Sequence, residues 1–325
     1  MTELAAAVYP AGSATDIASA TARPCKADAT HRRERYPFAA TRHEVQNAAM
    51  AEQEARVRRR RDAVRGLAMH ARYAGTQDAG TQDAGSPDAA SPAPGPIVLV
   101  HGLVVSSSFL VPALARLGRH HPSYAPDLPG YGLSAKPPQQ YGLERQADYL
   151  AGWMDRLGLR RAVLVGCSLG SQIVSYLALR RPELVQRAML MSPTMDLSAR
   201  DRRVALARWV RELPYELPML PLMLRDYARA GIRRAMHTFE LALADEPEAR
   251  LPRMTMPTLV LRGELDPIVT QQWAEQVTAL IPAGRLQVVE GQTHAINFTA
   301  PAEFTAIVRQ FVAEGTRRKG DGSDA

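Results

Sequence analysis

Cysteine is nearly missing from this chain of 325 residues, which has two. Cys25 lies in a polar, Ala-rich stretch and Cys167 at the end of an apolar run, so a disulfide framework is excluded and a reducing, cytoplasmic setting is expected. No apolar run approaches the roughly 20 residues a bilayer crossing needs, so no membrane span is expected. The opening MTELAAAVYPAGSATDIASA lacks the basic start and continuous apolar stretch of a secretory signal. Aromatic residues make up only 6%, and no extended basic stripe interleaved with them is present. The net charge of +7 therefore does not form the stripe expected of a nucleic-acid binder, and no nucleic-acid partner is predicted. Residues 1–66 hold twelve Lys/Arg against eight Asp/Glu, including the run Arg58-Arg59-Arg60-Arg61. The reading of that stretch is a solvated, partly disordered basic segment.

What remains is plentiful apolar residue, 46% of the chain, enough for one large domain with an insertion and tails. Residues 1–50 carry no sustained period and read as a disordered extension; Met50 offers an alternative translation start. The stretch 66–75 alternates like a strand. The repeat-like AGTQDAGTQDAGSPDAASPAPGP cannot build a core and reads as an enlarged loop, 75–95, between two strands. From Pro96 the texture becomes strand–helix alternation. Apolar runs at 97–100, 162–165, 188–191, 258–261 and 286–289 have no polar alternation, as befits parallel strands covered on both faces. Helical patterns fall between them at 143–158 and 171–182, and a last one at 301–312. The fold class predicted is α/β, a doubly wound, mostly parallel sheet. The core is expected in two parts, 51–194 and 253–314, with a disordered tail at 315–325. Residues 195–252 contain no strand pattern and read as a helical insertion over the carboxyl ends of the strands.

The chemistry-bearing signal is Gly166-Cys167-Ser168-Leu169-Gly170. A bare G-x-S-x-G is weak, but here an apolar strand runs straight into it and a helical pattern leaves it. That strand–tight turn–helix context presents a serine hydroxyl at a helix N-terminus, as a nucleophile requires. A hydroxyl nucleophile needs a base. Of the eight histidines, His294 stands in a short loop between the last apolar strand and the final helix, whereas His101 reads as structural. An imidazole base works best with a carboxylate fixing its tautomer. Asp266, just past the strand 258–261, is the expected acid, with Asp196 its rival and Asp127 read as a turn organiser. Backbone N–H donors for an oxyanion are expected at Leu169 and in the loop at Leu103 and Val104.

These pieces resemble the α/β-hydrolase fold superfamily, particularly its lidded esterase-like members. The matching segments are HG at 101–102, DLPGYGLSAKP at 127–137, GCSLG at 166–170, GELDPIV at 263–269 and HAINFTAPAEF at 294–304. The resemblance implies a cap at 195–252 between strands six and seven. It also implies a serine hydrolase acting on a small-molecule carboxylic ester through an acyl-enzyme, without metal or organic cofactor. Acyl transfer, carbon–carbon hydrolysis, perhydrolysis and ligand binding without catalysis remain alternatives on the same residues. Two departures bear on subclass: Ser171 stands where many relatives have Gly, and Ala295 follows His294 where ring-fission hydrolases often have Trp. In the insertion, Trp209 and Phe239 are expected to roof the site, and Arg208, Arg211 and Arg225 to face water.

Overall fold

The computed structural model describes residues 56–75, 95–194, 196 and 200–317; the expectations for residues 1–50, the body of the 75–95 loop and the end of the tail lie outside them. The chain opens with a hairpin, β1 (Arg58–Val64) and β2 (Leu67–Ala74). Arg65 and Gly66 join them with φ of 48° and 78°, both positive, so the turn's own twist matches that of the strands. β3 (Ile97–Val100), α1 (Val111–Leu117) and β4 (Ser123–Pro126) follow, then α2 (Leu143–Arg156), β5 (Ala162–Cys167), α3 (Leu169–Arg180) and β6 (Val185–Met191). Three helices, α4 (Arg202–Glu216), α5 (Leu220–Ala230) and α6 (Ile232–Ala244), come before β7 (Thr258–Gly263), α7 (Gln271–Leu280), β8 (Gly284–Val289) and α8 (Pro301–Arg317). Among the described residues, none between β6 and β7 is in a strand. No helix there or elsewhere among them is long and apolar enough to cross a membrane.

The eight strands form one sheet in the order β1-β2-β4-β3-β5-β6-β7-β8. β1, β2 and β4 pair antiparallel, and every pair from β4 through β8 is parallel. Because side chains alternate across a strand, each apolar run fills both faces. Val98, Leu164, Leu190 and Val260 pack toward α2, α3 and α7 around Trp153, Ile173 and Trp273. Leu99, Val165, Met189 and Leu261 pack toward α1 and α8 around Leu114, Phe304 and Phe311. This is the doubly wound sheet the sequence predicts.

Two differences from the sequence reading concern the first strands and one the last helix. The basic run Arg58–Arg61 is not part of a disordered segment: it is the edge strand β1, with its arginines directed mostly outward. Charge along an edge discourages strand addition by another chain, and Asp62 ties the strand inward by accepting from Trp153 Nε1 at 3.2 Å. β4, sequence SYAP, is wholly buried, but too short and too polar to announce itself. The final helix runs to Arg317 rather than stopping at Val312.

Candidate active site

Ser168 occupies a backbone conformation that few non-glycine residues adopt, φ 54° and ψ −120°, held at the joint between β5 and α3. The strain is imposed by crowding on either side. A Cβ on Gly166 would lie 2.5 Å from the carbonyl oxygen of Gly170, and one on Gly170 would lie 2.4 Å from that of Val100. Strand, helix and neighbouring strand therefore meet backbone to backbone. Ser168 N donates to Met191 O at 2.8 Å, and the hydroxyl of Ser171 donates back to Gly166 O at 2.9 Å. The serine that departs from the usual glycine thus fastens the turn. Cys167 beside it is buried, and burial pushes its thiol up to about 12.

Asp266 follows β7 and is itself anchored: its Oδ1 accepts from Ile268 N at 2.8 Å and Val269 N at 3.0 Å. Its Oδ2 receives the Nδ1–H of His294 at 2.9 Å. The two loops can approach because Gly263, at the end of β7, has no side chain. A Cβ there would fall 2.3 Å from Thr293 O. Arg262 braces the Asp266 loop by donating to Val269 O at 2.7 Å and Asp266 O at 3.1 Å. Burial alone would lower the pKa of His294, but the charge and hydrogen bond of Asp266, with charges from Glu212 and Glu216, outweigh it and raise the imidazole to about 9. The carboxyl of Asp266 is correspondingly lowered: burial opposes ionisation and the imidazole overcomes it.

Ser168 and His294 line one cavity of about 460 Å³. Its floor includes Leu103, Val104 and Leu169, and Trp209 and Phe239 of the insertion line it as well. Gly102 brings the first of these loops close, since a Cβ on it would sit 3.3 Å from Ser168 Cβ. Val104 is held at φ 59°. The cavity sits at the carboxyl ends of the parallel strands, where open α/β sheets bind ligands.

Residues 97–307 match the alpha/beta hydrolase family. The chain belongs to that family. Among its relatives, carboxylesterase YbfK of Bacillus subtilis is 28% identical over 249 residues, covering 68% of this chain and 81% of that one. The 2-hydroxy-6-oxo-2,4-heptadienoate hydrolase of Pseudomonas putida is 26% identical over 251 residues, covering 68% of this chain and 90% of that one. A thermophilic esterase from Thermogutta terrifontis shares the fold with a TM-score of 0.64 at 21% identity, over 80% of this chain and 99% of that one.

Several residues of this alpha/beta hydrolase stand differently from the sequence reading. Arg208 does not face water: its guanidinium donates to Asp196 Oδ2 at 2.8 Å, and that same oxygen accepts from Thr270 at 2.9 Å. Asp196 is thereby engaged away from the imidazole that Asp266 holds. Arg225 is half-exposed and donates to Ser108 Oγ at 2.7 Å, while Arg211 does face solvent. His101 is buried and accepts from Leu128 N at 3.1 Å, a structural role in keeping with a pKa lowered by burial. Asp127 organises the loops below the site, accepting from Ser107 N at 2.7 Å and Leu133 N at 2.8 Å and pairing with His70 at 2.8 Å. Burial works against its charge, but these partners hold its pKa at about 2.

Two acids of the insertion went unnoticed in the sequence. Glu212 and Glu216, four residues apart on α4, share one helix face and turn it toward His294. Glu212 is fully buried and its Oε1 accepts from His294 N at 3.1 Å. Glu216 is buried and lines the cavity. Burial raises both carboxyls, Glu212 to about 7. The four-residue spacing was visible, but nothing local shows that a helix with so many exposed apolar side chains turns this face inward.

Proposed function

We propose that this hydrolase cleaves carboxylic esters through an acyl-enzyme on Ser168, with His294 as general base and Asp266 as the acid that orients it. The observation that carries the reading is the Nδ1–H of His294 bound to Asp266 at 2.9 Å while Ser168 and His294 line one cavity. With Nδ1 engaged, Nε2 is the nitrogen left to take the Ser168 proton. Oγ then attacks the substrate carbonyl, and the negative oxygen rests on the N–H groups of Leu169 and of the Leu103–Val104 loop. His294 returns the proton to the departing alcohol. Water, deprotonated in turn by His294, hydrolyses the acyl-serine and restores the hydroxyl. The helices α4, α5 and α6 act as a cap, and their apolar wall favours substrates of modest polarity.

The test is turnover of p-nitrophenyl esters of graded acyl length by wild type and Ser168→Ala. The variant is expected to lose activity by about four orders of magnitude or more. Equal inertness of both proteins toward esters, amides and a fluorophosphonate label would end this reading. Carbon–carbon hydrolysis is the second reading, favoured by the relative that acts on 2-hydroxy-6-oxo-2,4-heptadienoate. Loss of absorbance of a ring-fission dienoate, faster than turnover of any simple ester, would select it.

A further inference from the structure

Among the described residues that line the cavity, one side chain is acidic. Met223, Tyr227, Trp209 and Phe239 present apolar surface, and among them stands the carboxyl of Glu216. Glu216 is 8% exposed, and its Oε2 is buried without a hydrogen-bond partner. Its neighbour on the helix face, Glu212, already serves the protein by holding His294 N. Arg208, also at the cavity, is occupied by Asp196. A buried carboxyl without a donor is costly, and a leucine or methionine would close this wall without that cost. Sites built to hydrogen-bond one substrate group reject the analogue lacking it far more strongly than apolar walls discriminate a methylene.

We propose that Glu216 is the specificity-determining residue of this site and accepts a hydrogen bond from a donor group, a hydroxyl or an ammonium, carried by the substrate away from its scissile carbonyl. The inference rests on the serine-hydrolase reading for its chemistry, but not for its binding. The substrate class is then a hydroxylated or aminated ester rather than a plain alkyl ester. The donor end lies against the end of α4, and the reacting carbonyl lies at Ser168.

Matched p-nitrophenyl esters test this: straight acyl chains of four to ten carbons, each with its ω-hydroxy and ω-amino counterpart. At one chain length or more, wild type is expected to favour a donor-bearing ester in kcat/KM by at least about tenfold. Glu216→Leu should bring that ratio to within about twofold of one. Glu216→Gln, which keeps an acceptor oxygen but no charge, should retain the hydroxyl preference and lose the ammonium preference. Calorimetric binding of the same esters to Ser168→Ala separates the two readings. Donor-selective binding that Glu216→Leu abolishes supports the proposal even where no ester is hydrolysed, an outcome that counts only against the hydrolase reading. Equal treatment of the members of every pair by wild type, or a preference unchanged in Glu216→Leu, overturns it.

Discussion

At the residue scale His294 has three carboxyl groups around it, those of Asp266, Glu212 and Glu216, and their charges set the pH range over which it is neutral. His294 is raised to about 9 from an ordinary 6.5, and the proposed chemistry needs the neutral imidazole. kcat/KM should therefore climb with pH along a limb whose midpoint lies above 6.5. Glu212→Gln keeps an oxygen to accept from His294 N while removing one charge that raises the imidazole. Its limb should move to lower pH, and a midpoint that stays in place or rises would contradict this account. The same residue bears on stability. Its folded pKa of about 7 stands above 4.5, so the stability linked to its proton is complete below 4.5 and lost as pH rises through about 7. The melting temperature of Glu212→Gln relative to wild type should accordingly increase between pH 5 and pH 8. The two candidate acids separate just as sharply. Asp266→Asn should cost about 10⁴ in kcat by disturbing the tautomer. Asp196→Asn, which disturbs only the contacts with Arg208 and Thr270, should cost far less in the same assay.

At the element scale the insertion is bound to the floor of the site. Asp226, buried on α5, accepts from Ser106 Oγ at 2.6 Å and Ser108 Oγ at 3.1 Å in the loop after β3. Asp226→Ala leaves two buried hydroxyls short of a partner and should destabilise the fold by about 1–3 kcal/mol in urea unfolding. It should also loosen the Leu103–Val104 loop enough to lower kcat/KM in the ester assay. How well each element could be read follows from its surroundings. Runs such as IVLV and TLVL are apolar on both faces because helices cover both, and that pattern needs no partner to be recognised. SYAP of β4 owes its strand to pairing with β2 and β3, information held elsewhere in the chain. The Ser168 turn was legible because glycine, serine and glycine are local demands of one sharp bend. Glu212 and Glu216 were not, because which face of α4 looks inward is decided by how the insertion docks. Arg208 was misread for the same reason.

At the scale of the whole molecule, the antiparallel hairpin β1–β2 closes one end of an otherwise parallel sheet. A chain beginning at Met50 retains every element described here and should match the full chain in melting temperature. A chain beginning at Leu67 loses β1, bares the long edge of β2 and removes the Asp62 partner of Trp153. It should aggregate, as seen by light scattering at concentrations where the full chain stays dispersed. The reading of the basic stretch as a solvated, partly disordered segment fails at Arg58–Arg61, because charge alone does not separate a solvated tail from an edge strand.

His294 lies in the loop after β8, the last strand of the sheet. Synthesis runs from the N-terminus, so the ribosome delivers Ser168, then the roof over it, and only near the end the imidazole. Under the proposed mechanism a nascent chain holds Ser168 without its base until the loop after β8 has been made. On that mechanism such an enzyme is silent until nearly all of it has been made, and a product cut short after Val289 would lack both His294 and the helix whose Phe304 and Phe311 fill one face of the sheet.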